Sequence, residues 1–170
     1  MQSAMFYSYL QRKMNQLHEK FMRQRFDLFV DLIDINTGDL IVDLGGGPGE
    51  FMELFTDKNK KYKISIADIS REALQVAREK GFETILLEES APLPFKDKEV
   101  DVIFCNSVIE RCTISKSSIW TMTNDKQFKK EAFRAQSFFA SEIERVSKRY
   151  FVQTPSKSFP VESHCVFWRS

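Results

Sequence analysis

"IVDLGGGPGEF", residues 41 to 51, sets a short branched apolar run against four glycines and a proline. The whole chain of 170 residues holds only six glycines, so four of them fall in this one turn. Glycine loses more backbone freedom on folding than any other residue. A cluster of it therefore marks a tight turn or a close approach of main chain to a ligand.

Working outward, "LIVDL" (40–44) is continuously apolar around one acid, as expected of a strand covered on both faces. "EFMELFTDK" (50–58) reads as a helix and "YKISIADI" (62–69) as a strand. "SREALQVAREKG" (70–81) reads as a helix with Ser70 as its N-cap and Gly81 at its end. "FETILLE" (82–88), "VDVIFCNSV" (100–108) and "KRYFVQT" (148–154) supply three more strands. "APLPFKDKE" (91–99) is a loop because two closely spaced prolines forbid regular structure. Residues 126–147 place Phe128, Ala132, Ala135, Phe139, Ile143 and Val146 on one helical face, and the polar stretch 111–125 reads as a loop.

Ahead of the glycines, Phe6, Leu10, Met14, Leu17 and Phe21 recur every three or four residues. Phe26, Phe29, Val30 and Ile33 continue the pattern until Gly38 stops it. This stripe predicts a helix packed on the sheet. Strands alternating with helices predict an α/β, Rossmann-like doubly wound fold: a mostly parallel sheet of about five strands, with helices on both faces. One domain spans 1–170, with an N-terminal helical segment (1–37) and a cofactor-binding core (38–170).

Hydrophobic residues make up 42% and charged residues 29%, an ordinary globular balance, with an aromatic-rich core implied by 16 phenylalanines. A net charge of +1 offers no electrostatic reason to expect nucleic acid or an anionic membrane as partner. The apolar runs fall far short of the ~20 residues of a membrane span, and the N-terminus lacks a signal-peptide pattern. Cys105, Cys112 and Cys165 form no CxxC pair, so reduced thiols in a cytoplasmic protein are expected, with no metal site.

A strand, a glycine turn and a helix make the nucleotide-binding corner of a doubly wound sheet, with ligand across the carboxyl ends of the strands. A phosphate-binding P-loop is excluded, because no GK[ST] follows. Dinucleotide binding wants GxGxxG, yet Glu50 stands where the last glycine belongs and would repel a pyrophosphate. The remaining pattern is G-x-G-x-G preceded by Asp43, with Gly45, Gly46, Gly47 and Gly49. It suits a ligand that needs close main-chain contact and brings no phosphate, such as S-adenosylmethionine. Without β-carbons at Gly45, Gly47 and Gly49, the amino-acid tail and ribose could lie on the backbone, with Asp43 facing the ammonium end. Asp68, about twenty residues on, can accept from both ribose hydroxyls, and Ile69 can pack on adenine.

With these residues in view, the chain resembles the class I S-adenosylmethionine-dependent methyltransferases, in particular the small-domain group of the ubiquinone and menaquinone biosynthesis methyltransferases. The resemblance rests on "VDLGGGPGEF", "ISIADIS", "LEESAPLPFKDKEVDVIFCNSVIE" and "EIERVSKRYFVQTP", taken in that order. It implies that Glu89, with Ser90 beside it, receives the adenine amino group. It also implies that Asn106 and Ser107 line the methionine part of the cofactor and the substrate pocket. Three departures stand out. Glu110–Arg111 replaces the acid–histidine pair of many relatives, and "VSKRY" replaces a Lys-Pro-Gly-Gly turn. "SFPVESHCVFWRS" is too short for the usual C-terminal hairpin, so a partner or a second copy of the chain is expected over the open sheet edge.

The expected activity is methyl transfer to a small-molecule acceptor by in-line displacement, where alignment and exclusion of water matter more than a base. His164 and Glu162 are the titratable candidates beyond the cofactor residues, and Trp120 and Met122 are candidates for a lid or a core plug. His18 is expected to face solvent, and "KNKKYK" (58–63) to be a solvated turn. The competing reading is a non-catalytic binding or scaffold protein that works through its exposed sheet edge.

Overall fold

The computed structural model of the protein describes residues 2–55, 62–112 and 125–154. Among the described residues five strands form one sheet: β1 (Leu40–Leu44), β2 (Lys63–Asp68), β3 (Glu83–Leu86), β4 (Val100–Asn106) and β5 (Ser147–Gln153). Their order is β3-β2-β1-β4-β5, every pairing is parallel, and β1 lies at the centre. Three α-helices accompany them among the described residues: α1 (Gln2–Leu32), α2 (Arg71–Glu79) and α3 (Asp125–Val146). This is the doubly wound, Rossmann-like arrangement that the alternation of patterns implied.

Continuous burial along β1 and β4 explains their unbroken apolar character, since both faces are covered. On one face, Ile41, Ile66, Val102 and Phe104 meet Phe26 and Phe29 of α1, Leu74 and Ala77 of α2, and Phe51, Met52 and Phe55. On the other, Val42, Leu44, Ala67, Ile103 and Cys105 meet Ile143 and Val146 of α3 and Leu93 of the β3–β4 loop. Phenylalanine concentrates on the first face. Phe104 stacks on Phe51 with centroids 4.0 Å apart and on Phe151 at 5.6 Å, and meets Phe29 edge-on at 5.0 Å.

Ser70 caps α2, accepting from the Ala73 amide through its Oγ, and Gly81 follows the helix with φ +91. Helix α3 buries the expected face, with Ala132, Ile143 and Val146 inside. Two expectations need correction. The segment from Glu50 onward forms one 3₁₀ turn (Met52–Phe55) among its described residues instead of an α-helix, with Met52 and Phe55 turned inward three residues apart. The stripe Phe6, Leu10, Met14, Leu17, Phe21 does not pack on the sheet as a continuous face: all five are exposed, and burial begins with Met22, Phe26 and Phe29. The reason is orientation: at 3.6 residues per turn this row lies about a third of a turn from Phe26 and Phe29, and Leu28, which continues it beside the sheet, is exposed as well. His18 is exposed, as expected.

The β3–β4 loop is clamped to the end of α3. Arg145 donates to the carbonyls of Leu93 (3.1 Å) and Phe95 (2.9 Å) and pairs with Glu142 at 2.7 Å, while Glu142 accepts from the Leu93 amide at 2.9 Å. Lys98 donates from its Nζ to the carbonyls of Glu144 and Ser147, closing the same corner.

Candidate functional site

Parallel register sets the carboxyl ends of the central strands in one row. Leu44 faces Ala67 on one side and Cys105 on the other, so Gly45, Asp68 and Asn106 follow as neighbours along one rim. The Gly45 amide extends the ladder by donating to the Ala67 carbonyl at 2.7 Å. The glycine turn therefore sits where strand order reverses about β1, the place where open α/β sheets bind ligands.

Each glycine serves a different purpose. A β-carbon at Gly45 would run into the Val108 side chain, and one at Gly46 into the Asp43 carboxyl group. At Gly49, which is buried, it would press on the Phe82 ring at 3.0 Å. Only Gly47, at φ +54, would direct a β-carbon into open space. The missing side chains at Gly45 and Gly49 thus make room for the protein's own residues, which differs from the expectation that they clear the way for a ligand. Main chain accessible from outside lies at Gly45 to Pro48, which are partly exposed.

Two carboxylates stand beneath this turn. Asp43 is buried, and its Oδ2 has no hydrogen-bond partner. Burial, and then the nearby Asp68 carboxylate, push its carboxyl up to about 7. Asp68 accepts from the Gly47 amide through Oδ2 at 2.9 Å and from the Ser70 amide through Oδ1 at 2.8 Å. Asp68 thus has a structural duty as well, tying the glycine turn to the start of α2 although Ser70 already caps that helix. Each carboxylate oxygen keeps a second lone pair for another donor.

Around these, Ile69 is 63% exposed beside Asp68, a large apolar side chain presented to solvent at the rim. Glu89 and Ser90 are exposed in the turn after β3, with Ser90 at φ +61. Asn106 and Ser107 end β4 half-buried, and Ser107, at φ +56, donates its amide to the Gln153 carbonyl at 2.9 Å. His164 and Glu162 lie outside the described residues, as do Trp120, Met122, Cys165 and most of the 111–125 and 58–63 stretches. The expected open edge on β5 and the residues following it fall partly in the same undescribed part of the chain.

Two features escaped the sequence reading. Val108 supports Gly45 from below, and nothing in its apolar surroundings distinguishes it beforehand. Glu110 was noted for the histidine it lacks beside it, yet its Oε2 is buried without a partner. It stands near Cys105 and Cys112, and burial followed by Glu110 pushes the Cys112 thiol up to about 11. Both thiols are free. Among the described residues no group of three His, Cys, Asp or Glu side chains is placed to hold a metal ion. No described helix is long and apolar enough to cross a membrane. A cavity of about 390 Å³ beside Ile33, Ile35, Phe55 and Tyr62 opens at the amino end of the sheet, away from this row.

Residues 42–149 match the family described as a methyltransferase domain, and the matched span begins in β1 and ends in β5. The chain belongs to the methyltransferase domain family. A curated relative is the malonyl-[acyl-carrier protein] O-methyltransferase of Marinomonas sp. (strain MWYL1), 27% identical over 57% of this chain and 42% of the relative. The chain thus spans less than half the length of that relative. Among solved structures, the PH0226 protein of Pyrococcus horikoshii OT3 is similar with TM-score 0.52 at 20% identity, over 77% of this chain and 50% of that one. The YcgJ protein of Bacillus subtilis is similar with TM-score 0.50 at 18% identity, over 76% and 50%. These likenesses bear on the fold alone.

Proposed function

We propose that this methyltransferase domain binds S-adenosylmethionine along the carboxyl rim of β1, β2 and β4 and transfers its methyl group to a small-molecule acceptor. The observation that carries this reading is Asp43: a buried carboxylate with an unpartnered oxygen, next to accessible glycine main chain and one strand from Asp68. A buried acid without a donor is costly, and a cationic ligand end would relieve that cost. In this reading Asp43 faces the ammonium end, Asp68 accepts from the ribose hydroxyls, and Ile69 packs on adenine. Glu89 and Ser90 receive the adenine edge. Gly45, Gly46, Gly47 and Gly49 shape the main chain beneath the ligand, while Asn106 and Ser107 border the acceptor side. When bound, the cofactor supplies a methyl group already activated by positive sulfur, so the protein's task is alignment and exclusion of water. A cytoplasmic setting is proposed with it, on the free thiols of Cys105 and Cys112.

Titration calorimetry of the whole chain against S-adenosylmethionine and against NAD tests the reading. Binding of the first and not the second is expected. Binding of NAD alone, or of neither at about millimolar concentration, refutes it.

A further inference from the structure

Between Tyr7 and Leu17, α1 carries an apolar seam that is separate from the face it packs on the sheet. Tyr7 and Met14 stand a heptad apart, with Leu10 and Leu17 offset to the d positions; Phe21 and Leu28 continue the a position. Tyr7 is 74% exposed and Met14 56%, and Leu10 and Leu17 are exposed as well. At 3.6 residues per turn this row lies about a third of a turn from that of Phe26 and Phe29. The core-facing row itself turns polar beyond the sheet, at Gln11 and Asn15. The seam is therefore a second face and not a continuation of the core.

Charge says what fits it. From Phe6 to Leu28 the helix carries Arg12, Lys13, Lys20, Arg23 and Arg25 against two acids, Glu19 and Asp27, and Arg23 pairs with Glu19 at 3.2 Å. Lys13 and Lys20 occupy successive g positions along one side of the seam, with Asp27 at the next, and His18 stands at e on the other. Arg25, the next e residue, is half-buried and donates from Nε to Gln153 Oε1 of β5 at 2.9 Å. A second copy fits badly. Antiparallel, with Met14 stacked on Leu17, it would set Lys13 against Lys20; parallel, it would set Lys13 against His18 and Lys20 against Arg25, which is already held on Gln153. Neither orientation offers Lys13 or Lys20 a carboxylate. A lipid surface also fits badly: Phe6 and Tyr9 widen the exposed apolar arc only at the amino end, and from Leu10 to Leu28 it is an a/d stripe, narrower than the apolar face of an interfacial helix. We propose that this seam docks an acidic amphipathic helix of a partner protein, with apolar side chains in the seam and carboxylates against Lys13 and Lys20.

The test uses the whole chain and two synthetic four-heptad peptides with leucine at a and d, one with glutamate and one with lysine at e and g. The glutamate peptide should bind and the lysine peptide should not. Lys13→Glu combined with Lys20→Glu should lose the first by about tenfold or more and gain the second, since like charges across the seam repel. Leu17→Asp should abolish both. These side chains are exposed, so unchanged melting curves establish that the fold is intact. Equal binding of the two peptides, or binding indifferent to Leu17→Asp, overturns the proposal. So does a dimer in sedimentation that Leu17→Asp dissolves, or capture by phosphatidylcholine–phosphatidylserine vesicles with no peptide preference.

Discussion

The Gly47 amide donates to Asp68 Oδ2 at 2.9 Å, joining the turn after β1 to the end of β2 across 21 residues of sequence. Together with the Ser70 amide on Oδ1, it holds the Asp68 carboxylate in one orientation before any ligand arrives. Preorganisation of this kind lowers the cost of binding.

Asp68→Ala should therefore weaken S-adenosylmethionine binding by about 1.5–3 kcal/mol for each charged hydrogen bond lost, roughly ten- to a hundredfold. Calorimetry on the two proteins checks this. Unchanged affinity would mean that the nucleoside does not meet Asp68.

Asp43 makes stability depend on pH. Its folded carboxyl is raised to about 7, chiefly by burial, while the unfolded chain titrates near ~3.9. Between those values the native state holds a proton that the unfolded state has released. Stability is thus fully present below the unfolded value and falls as pH rises toward the folded one, by up to about 1.4 kcal/mol per unit. Urea unfolding at about pH 5 and about pH 8 should show this decline in the native protein and a smaller one in Asp43→Asn. Equal declines in the two proteins would count against the raised value.

Gly46 has no positive φ to satisfy, so its glycine requirement comes from the Asp43 carboxyl beside it. Gly46→Ala should cost about 1–3 kcal/mol through overpacking. Combining it with Asp43→Ala should recover part of the loss, a coupling that a double-mutant cycle measures by thermal unfolding. Strict additivity would deny the contact.

Glu142→Ala would leave the buried Leu93 amide without its acceptor, at a cost of about 1–3 kcal/mol for an unpaired buried donor. Amide exchange at Leu93 should accelerate more than exchange in β1. Uniform acceleration throughout the protein would show that the clamp on the β3–β4 loop acts only through global stability.

Chemistry confined to one or two neighbouring turns was legible from the residues alone. The period-2 and period-3.6 patterns, the Ser70 cap and the glycine turn after an apolar strand depend on local backbone preference. They placed five strands, the helices α1, α2 and α3, and the turn that sets Gly45 beside Asp68 at the carboxyl rim of the sheet. What tertiary structure decided was which side of each residue faces which neighbour. Gly45 makes room for Val108 and Gly49 for Phe82, from segments 63 and 33 positions away. Asp68 is tied to Gly47 although its own helix already has a cap. The apolar residues of α1 gave no sign of which of them the sheet would cover, because periodicity reports that a face is apolar and not what covers it. Coverage depends on how the helix is rotated on strands distant in sequence, and only assembly turns Phe26 and Phe29 inward and leaves Leu10, Met14 and Leu17 outside.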